Sequence, residues 1–324
     1  VSFLASAGNG KAVDDPAWFN GDLGRSIRKA FEQEPGPTIV WAVCTATSQG
    51  TASLADALTE VAKLDVQIVT LANTPLKSPT EGRTEIEALA SHVSTVSQTG
   101  DDGKERIGVA MLDKSIVDPS VITGSMSIDR MVMIAHKSSE DAAAAVAGTI
   151  AGYEPHISLL LKQVKISMDQ LFSDSEIQAF DRARLNWLTD PTLLPGKGLF
   201  MGEGYTLGVD RPYIDIVRTI DDISFRLKAE LIRSIGNLRV SRSGLRSLVS
   251  QMTAILEPLR QREVIEAFDV FIPLLVLLDK PPATLTDAEL QQIANAQNTR
   301  VVEALIAVDY AGAIHRLNIT LKFE

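Results

Sequence analysis

Three residues of this 324-residue chain stand in an order that can do chemistry: Asp65, His92 and Ser125. An acid that orients an imidazole, and an imidazole that takes a hydroxyl proton, together make a nucleophile. Ser125 lies in "TGSMSID", between Gly124 and Met126 and downstream of an apolar, strand-like run. The neighbouring residues argue against the reaction. His92 sits inside "EIEALASHVSTV", a helical pattern without the small, glycine-rich neighbours that bring a catalytic histidine onto a loop. Ser125 is followed by Met126 and Ser127, not by a run that would open a helix. Order alone is weak ground, because triads are defined by geometry.

Other reactive patterns are thinner still. "GNGKAV" supplies Gly8 and Gly10, but Val13 stands where a dinucleotide-binding turn needs a third glycine, and "PGKGLF" lacks the spacing and final Ser/Thr of a phosphate loop. None of His92, His136, His156 and His315 has a second His or Cys at a metal-ligand spacing. The expectation is therefore no cofactor, no metal and no catalytic residue. Cys44 is the only cysteine, so an intrachain disulfide is impossible, and its place in "TIVWAVCTA" predicts a small buried hydrophobe. One constellation stands out: Arg233, Arg239, Arg242 and Arg246 occupy a stretch after Ile232 that holds no acidic residue before Glu257. Arginine suits carboxylates and phosphates. The cluster reads either as a solvated helix face or as a docking surface for an acidic protein.

The net charge is −10, and residues 1–155 hold 12 Lys/Arg against 20 Asp/Glu while residues 156–324 hold 19 against 21. An acidic chain of this kind is not expected to take nucleic acid or an anionic membrane surface as its main partner. No apolar stretch is long enough for membrane insertion, and the opening "VSFLASAGNGKAVDD" lacks the basic region of a signal peptide.

The elements that would position these residues alternate through the first half. "VSFLAS", with Phe3 and Leu4, reads as a strand; residues 21–34 as a helix stopped by "PGP"; "TIVWAVCTA" as a buried strand; "SLADALTEVAKL" as a helix; "VQIVTLAN" as a strand. Thr84 with Glu87 predicts a capping box for a helix to about Val96. "RIGVAML" and "DRMVMIA" read as strands and "SSEDAAAAVAGTIAGY" as a helix capped by Ser138 or Ser139. Strand–helix alternation predicts an α/β domain over 1–152 with a mainly parallel sheet.

Residues 153–324 predict an α+β domain. Ser173 and Glu176 form a capping box before "IQAFDRARLNWL", "GKGLFMGEGYTLG" is extended, and "RPYIDIVRT" reads as a strand. Helical patterns follow at 220–235 and 244–256, with Pro258 bending or ending the second. "AFDVFIPLLVLLDK" is strand-like with Pro273 marking an edge or bulge, and Thr286 opens a short helix. The sequence closes on two alternating runs around Ala311–Gly312, read as a hairpin or an extended arm. In the second run Leu317, Ile319, Leu321 and Phe323 alternate with Arg316, Asn318, Thr320 and Lys322. That period of two marks a strand with one apolar face, and an uncovered strand is a donor for pairing with another chain.

Three stretches together resemble the sheath proteins of contractile phage tails and related contractile injection systems. They are "FLASAGNGKAVDDP…LGRSIRKAFEQEPGPTIVWAVCTAT", "FSDSEIQAFDRARLNWLTDPTLLPGKGLFMGEGYTLGVDRPYIDIVRTIDDISFRLKAEL" and the closing "NTRVVEALIAVDYAGAIHRLNITLKFE". The resemblance implies a non-catalytic, subtilisin-like α/β domain, which accounts for the Asp–His–Ser order, and an inner C-terminal domain. It implies a structural subunit that polymerises helically with itself around an inner tail tube, meets baseplate and tail terminator proteins, and is assembled in the host cytoplasm into a virion tail or a phage-tail-like particle. Contraction would drive the tube through a target envelope. An arm at 314–324, with Ile314, Arg316, Leu317, Ile319, Leu321 and Phe323, would add a strand to a neighbour's sheet, joined there by an N-terminal strand. The Arg233–Arg246 cluster would face the tube. Against the family pattern, the sequence starts close to its first core strand and shows no inserted outer domain, so a compact member with a short or removed N-terminal arm is expected. The alternative is a two-domain α/β nucleotide- or small-molecule-binding enzyme using Thr45, Thr47, Ser48, Asn73 and Thr74 at strand ends.

Overall fold

The computed structural model describes residues 21–47, 50, 51, 53–99, 103–122, 124–191, 194, 198–234 and 236–313. The expected opening strand with Phe3 and Leu4, the Gly8–Gly10 loop, Ser48 and the arm at 314–324 lie outside the described residues. The chain divides into two compact units, Val1–Asp221 and Asp222–Glu324. Residues 153–221, which the sequence grouped with the C-terminal half, supply three strands to the sheet of the first unit.

In chain order the first unit contains α1 (Asp22–Phe31), β1 (Ala46–Thr47), β2 (Gly50–Thr51), α2 (Leu54–Val61), β3 (Ile68–Leu76), α3 (Arg83–Thr99), β4 (Ile107–Leu112), β5 (Met131–Ala135), α4 (Ala142–Gly152), β6 (Gln163–Val164), α5 (Asp174–Arg182), β7 (Asn186–Thr189) and β8 (Leu199–Met201). Helix α6 (Ile214–Leu231) crosses the unit boundary. The sheet order is β3-β4-β5-β7-β8-β6, with β3, β4, β5 and β7 parallel and β8 and β6 antiparallel to their neighbours.

Parallel strands need cover on both faces, and the residue alternation provides it. Ile107, Val109, Met111, Val132 and Ile134 point into one core with the alanine-rich α4. Ala110, Leu112, Met131, Met133 and Ala135 point into the other, against Ile86, Leu89, Ala90 and Val93 of α3. Those four α3 positions are spaced three and four apart, one stripe of an amphipathic helix. Helix α4 is buried along nearly its whole length, so its small alanines let it lie against α1 and the sheet at once.

Several local expectations are corrected. Among the described residues, the one pairing of "TIVWAVCTA" as a strand is at its end, where Ala46–Thr47 pairs with Gly50–Thr51. Ile39 and Trp41 are 57% and 43% exposed and Cys44 is exposed, while Ala42 is buried; apolar content alone specifies neither burial nor a ladder. "RPYIDIVRT" enters helix α6, because Ile214 and Val217, three apart, pack into the α4 core and packing overrides the β-branched preference. Helix α5 stops at Arg182, where Arg184 adopts a left-handed φ of 54°, and "NWLT" becomes β7. The cap of α4 is Asp141, not Ser138 or Ser139. Helix α3 already includes Arg83, so Thr84 lies within its first turn, and Glu87 is held by Arg83 and Ser125.

The second unit contains α7 (Arg242–Gln261), β9 (Ile265–Phe271), α8 (Pro273–Asp279), α9 (Asp287–Thr299) and β10 (Leu305–Tyr310). Pro258 stays inside α7. Pro273 separates strand from helix by occupying the first position of α8, where its missing N–H leaves no gap in the helix. Ile223 and Leu227 of α6 and Met252, Leu256 and Leu259 of α7 pack on Ile265, Phe268, Val270, Ile306 and Val308, one face of an antiparallel β9–β10 pair.

Candidate functional site

The Asp65–His92–Ser125 order does not become a triad. Arg106, with no exposed surface, donates Nη1 to the carbonyl of Val61 at 3.0 Å, Nη2 to Leu64 at 3.0 Å and Nε to Lys104 at 3.1 Å. It thereby caps the carbonyl end of α2, where positive charge is favoured. His92 Nε2 lies 3.4 Å from Arg106 Nη1. Burial first, and then the Arg106 charge, push the imidazole down to about 4. Its free lone pair thus faces a cation, not a hydroxyl. Ser125 instead donates to the Glu87 carboxylate, whose pKa is lowered by that hydrogen bond and the one from Arg83.

Two of the strand-end polar residues of the enzyme alternative, Asn73 and Thr74, are held in structural hydrogen bonds. Asp141 Oδ1 accepts from Ala144 N at 2.9 Å, and Oδ2 accepts from Asn73 N at 2.7 Å and from the Ser26 hydroxyl. One carboxylate thus ties α1, β3 and α4 together. Thr74 donates back to the Ala72 carbonyl. Gln33 donates to the Lys165 carbonyl at 3.1 Å and accepts from Lys165 N at 2.8 Å, imitating a strand bridge. His136 is buried, and burial holds its pKa below the usual range; Nδ1 accepts from Ser138 N. His315 lies outside the described residues. Among the described residues no group of His, Cys, Asp and Glu is placed to hold a metal, and no helix is long and apolar enough to cross a membrane.

The arginine cluster is partly neutralised by a residue far along the chain. Arg242 Nε and Arg246 Nη2 both lie 3.0 Å from Asp279 Oδ1, and Arg242 also donates to the Leu278 carbonyl at the end of α8. Arg233 pairs with Glu230 at 3.2 Å. Arg239 is exposed and has no ion pair among the described residues.

The feature with an unmet requirement is the β9–β10 pair. Among the described residues it is a two-stranded sheet, and neither outer edge is paired. Its second face carries Phe271 opposite Leu305, 45% and 59% exposed, then Asp269 opposite Ala307 and Ala267 opposite Asp309. A bulge at Tyr310, opposite Ile265, turns Ile265 inward. Isolated two-stranded sheets are marginal, and open edges recruit further strands. The sequence did not show this two-stranded pair, because "AFDVFIPLLVLLDK" read as one segment.

No protein-family model and no curated protein matches the sequence. Solved structures do. A chain of the anti-feeding prophage baseplate is 14% identical and similar with a TM-score of 0.66, over 97% of this chain and 82% of that one. A chain of the PVC sheath complex, from an extracellular contractile injection system in the contracted state, is 12% identical with a TM-score of 0.65, over 94% and 81%. The sheath tail protein of Desulfitobacterium hafniense is 15% identical with a TM-score of 0.50, over 67% and 52%. The mixed α/β architecture with its mainly parallel sheet is therefore a fold found in contractile sheath proteins.

Proposed function

We propose that this chain is a structural subunit of a contractile tail sheath, which polymerises helically around an inner tube and contracts to drive it through a target envelope. The observation that carries the reading is the reach of the likeness: one match runs through both units, over 97% of this chain and 82% of the other. The open β9–β10 sheet supports it, because a polymer held by exchanged strands needs an acceptor as well as a donor. Heterologous contacts of that kind extend into helices without closing. The arm 314–324, with Ile314, Arg316, Leu317, Ile319, Leu321 and Phe323, is the proposed donor, and Phe3 and Leu4 belong to the proposed N-terminal strand. The inner tube, baseplate and tail terminator proteins are the further partners, within a virion tail or a phage-tail-like particle assembled in the host cytoplasm. The role needs no catalysis, cofactor, nucleic acid or membrane insertion.

Negative-stain electron microscopy of the full chain beside a version ending at Ala313 tests the reading. Striated hollow tubes from the first and monomers from the second are expected. Monomers from both, in every buffer and with tube protein supplied, would overturn it.

A further inference from the structure

His136, the residue after β5, is 3% exposed, and its Nδ1 accepts from Ser138 N at 3.1 Å. The ring proton therefore sits on Nε2, where the Leu112 carbonyl lies close without closing a full hydrogen bond. The Ser138 hydroxyl in turn accepts from Glu140 N at 3.0 Å, so the turn from His136 to Asp141 hangs on that ring nitrogen. Asp141, where the turn ends, is filled: Ala144 N, Asn73 N and the Ser26 hydroxyl share its two oxygens. Asn73 needs that hold, because it is a non-glycine residue at a φ of 45°.

Few charges face the ring. Asp113, beyond β4, and Asp141, before α4, are the carboxylates within its reach. Asp113 already accepts from Ser115 N and Oγ at 3.0 and 2.6 Å. Lys137 turns its Nζ to Glu176 at 3.2 and 3.1 Å, and Glu140 is held by Lys29 at 2.6 Å and by Ser167. Strand β3 carries no ionisable residue, and Lys77 just after it pairs with Glu81. Helix α1 offers Asp22, which is taken by Arg25 and Asn73.

We propose that His136 is an acid-operated latch: protonation at Nδ1 opens the His136–Asp141 turn and frees Asn73 and Ser26 from Asp141, so the front of α1 parts from β3 while the sheet stays paired. The proton comes from water. Nδ1 then meets the Ser138 N–H as a second donor, and one of the two has to move. The imidazolium also draws the Asp141 carboxylate, whose lone pairs were serving Asn73 and Ser26. The further hydrogen bond between α1 and β3, from Asn73 Nδ2 to Asp22 at 3.1 Å, is exposed. Burial holds the imidazole below its ordinary 6.5. The folded chain is therefore latched at neutral pH, and opening sets in below 6.5 as pH falls.

Amide hydrogen exchange of the full-length chain, read by mass spectrometry from pH 7.5 to pH 4 and corrected for the intrinsic pH dependence of exchange, tests this. Protection of residues 22–31 should fall about tenfold or more, while residues 107–112 and 131–135 change by less than about twofold. His136→Asn keeps an oxygen where Nδ1 accepts but binds no proton, and should hold α1 protection within about twofold throughout. His92 is present in both proteins, so its own acid response cancels. In the parent, the His136 titration followed by NMR should share its midpoint with the loss of α1 protection, a comparison that stands even if the variant folds poorly. Equal acid loss in parent and variant overturns the latch, as do separate midpoints in the parent. Sheet protection lost together with that of α1, or α1 protection unchanged down to pH 4, overturns it too.

Discussion

Arg130 and Asp221 meet fork to fork, Nη1 to Oδ2 at 2.7 Å and Nη2 to Oδ1 at 2.8 Å, with side chains only 16% and 18% exposed. Arg130 immediately precedes β5 and Asp221 lies midway along α6, so the pair pins that helix to the start of a central strand. Bidentate geometry in a mostly buried place makes loss of one partner costly, because the other is left desolvated. Asp221→Asn should lower unfolding stability by roughly 1.5–3 kcal/mol in urea titrations. A change below about 0.5 kcal/mol would put the pair among ordinary surface contacts.

The Arg106–His92 contact predicts an acid-sensitive corner. His92 is held down to about 4 against an ordinary value of 6.5. Above pH 6.5 both folded and unfolded chains carry it neutral. Between 6.5 and 4 only the unfolded chain binds the proton, so stability falls as pH falls through that window, and below 4 the loss is complete. The ceiling is about 3 kcal/mol, and partial exposure reduces it to the order of 2. In His92→Gln, whose amide oxygen can still accept from Arg106, the stability difference between pH 7.5 and pH 4 should shrink by that amount. Equal pH slopes in variant and parent would remove His92 from the acid response.

What the sequence made legible here was local. Ser173 with Glu176 and Thr286 with Glu289 both form the capping boxes their spacing implies, and the α3 stripe faces the core as its period requires. What it hid depends on distant residues. Arg242 and Arg246 looked like free cations because Asp279 lies more than thirty positions away. "RPYIDIVRT" looked like a strand because only packing on the α4 core makes it helical. The decoy triad needed Arg106, outside the pattern altogether, to show that His92 faces a cation.

Helices α1 and α4 cross so closely that a Cβ on Gly148 would sit 2.4 Å from the Ala30 carbonyl oxygen and 2.8 Å from its Cα. Those are backbone atoms, so relief requires moving a helix. Gly148→Ala should therefore destabilise by about 1–3 kcal/mol, although alanine is the better helix former by about 1 kcal/mol. Adding Ala30→Gly should not rescue it, since the clash is not with the Ala30 methyl. A raised thermal midpoint for Gly148→Ala would mean the helices do not approach this closely.

The arginine cluster can be dissected on the premise that it faces the tube. Arg242 is already committed: Asp279 offsets its charge, and the Leu278 carbonyl takes its hydrogen bond. Arg239 is exposed with no ion pair among the described residues, whereas Arg242 and Arg246 share the one Asp279 carboxylate, so the charge of Arg239 is the least committed within the chain. Arg239→Ala should weaken co-sedimentation with tube protein about three- to fivefold at low salt, in keeping with ~1 kcal/mol for an exposed charge pair. The effect should vanish near 0.5 M salt, where screening shortens the reach of charge to about 4 Å. Arg242→Ala should instead leave tube binding within about twofold and cost ~0.5–1 kcal/mol of stability through the lost cap of α8. If Arg242→Ala weakened binding more than Arg239→Ala, the ion pair with Asp279 would have to open on docking, and the free charge of Arg239 would not be what the tube reads.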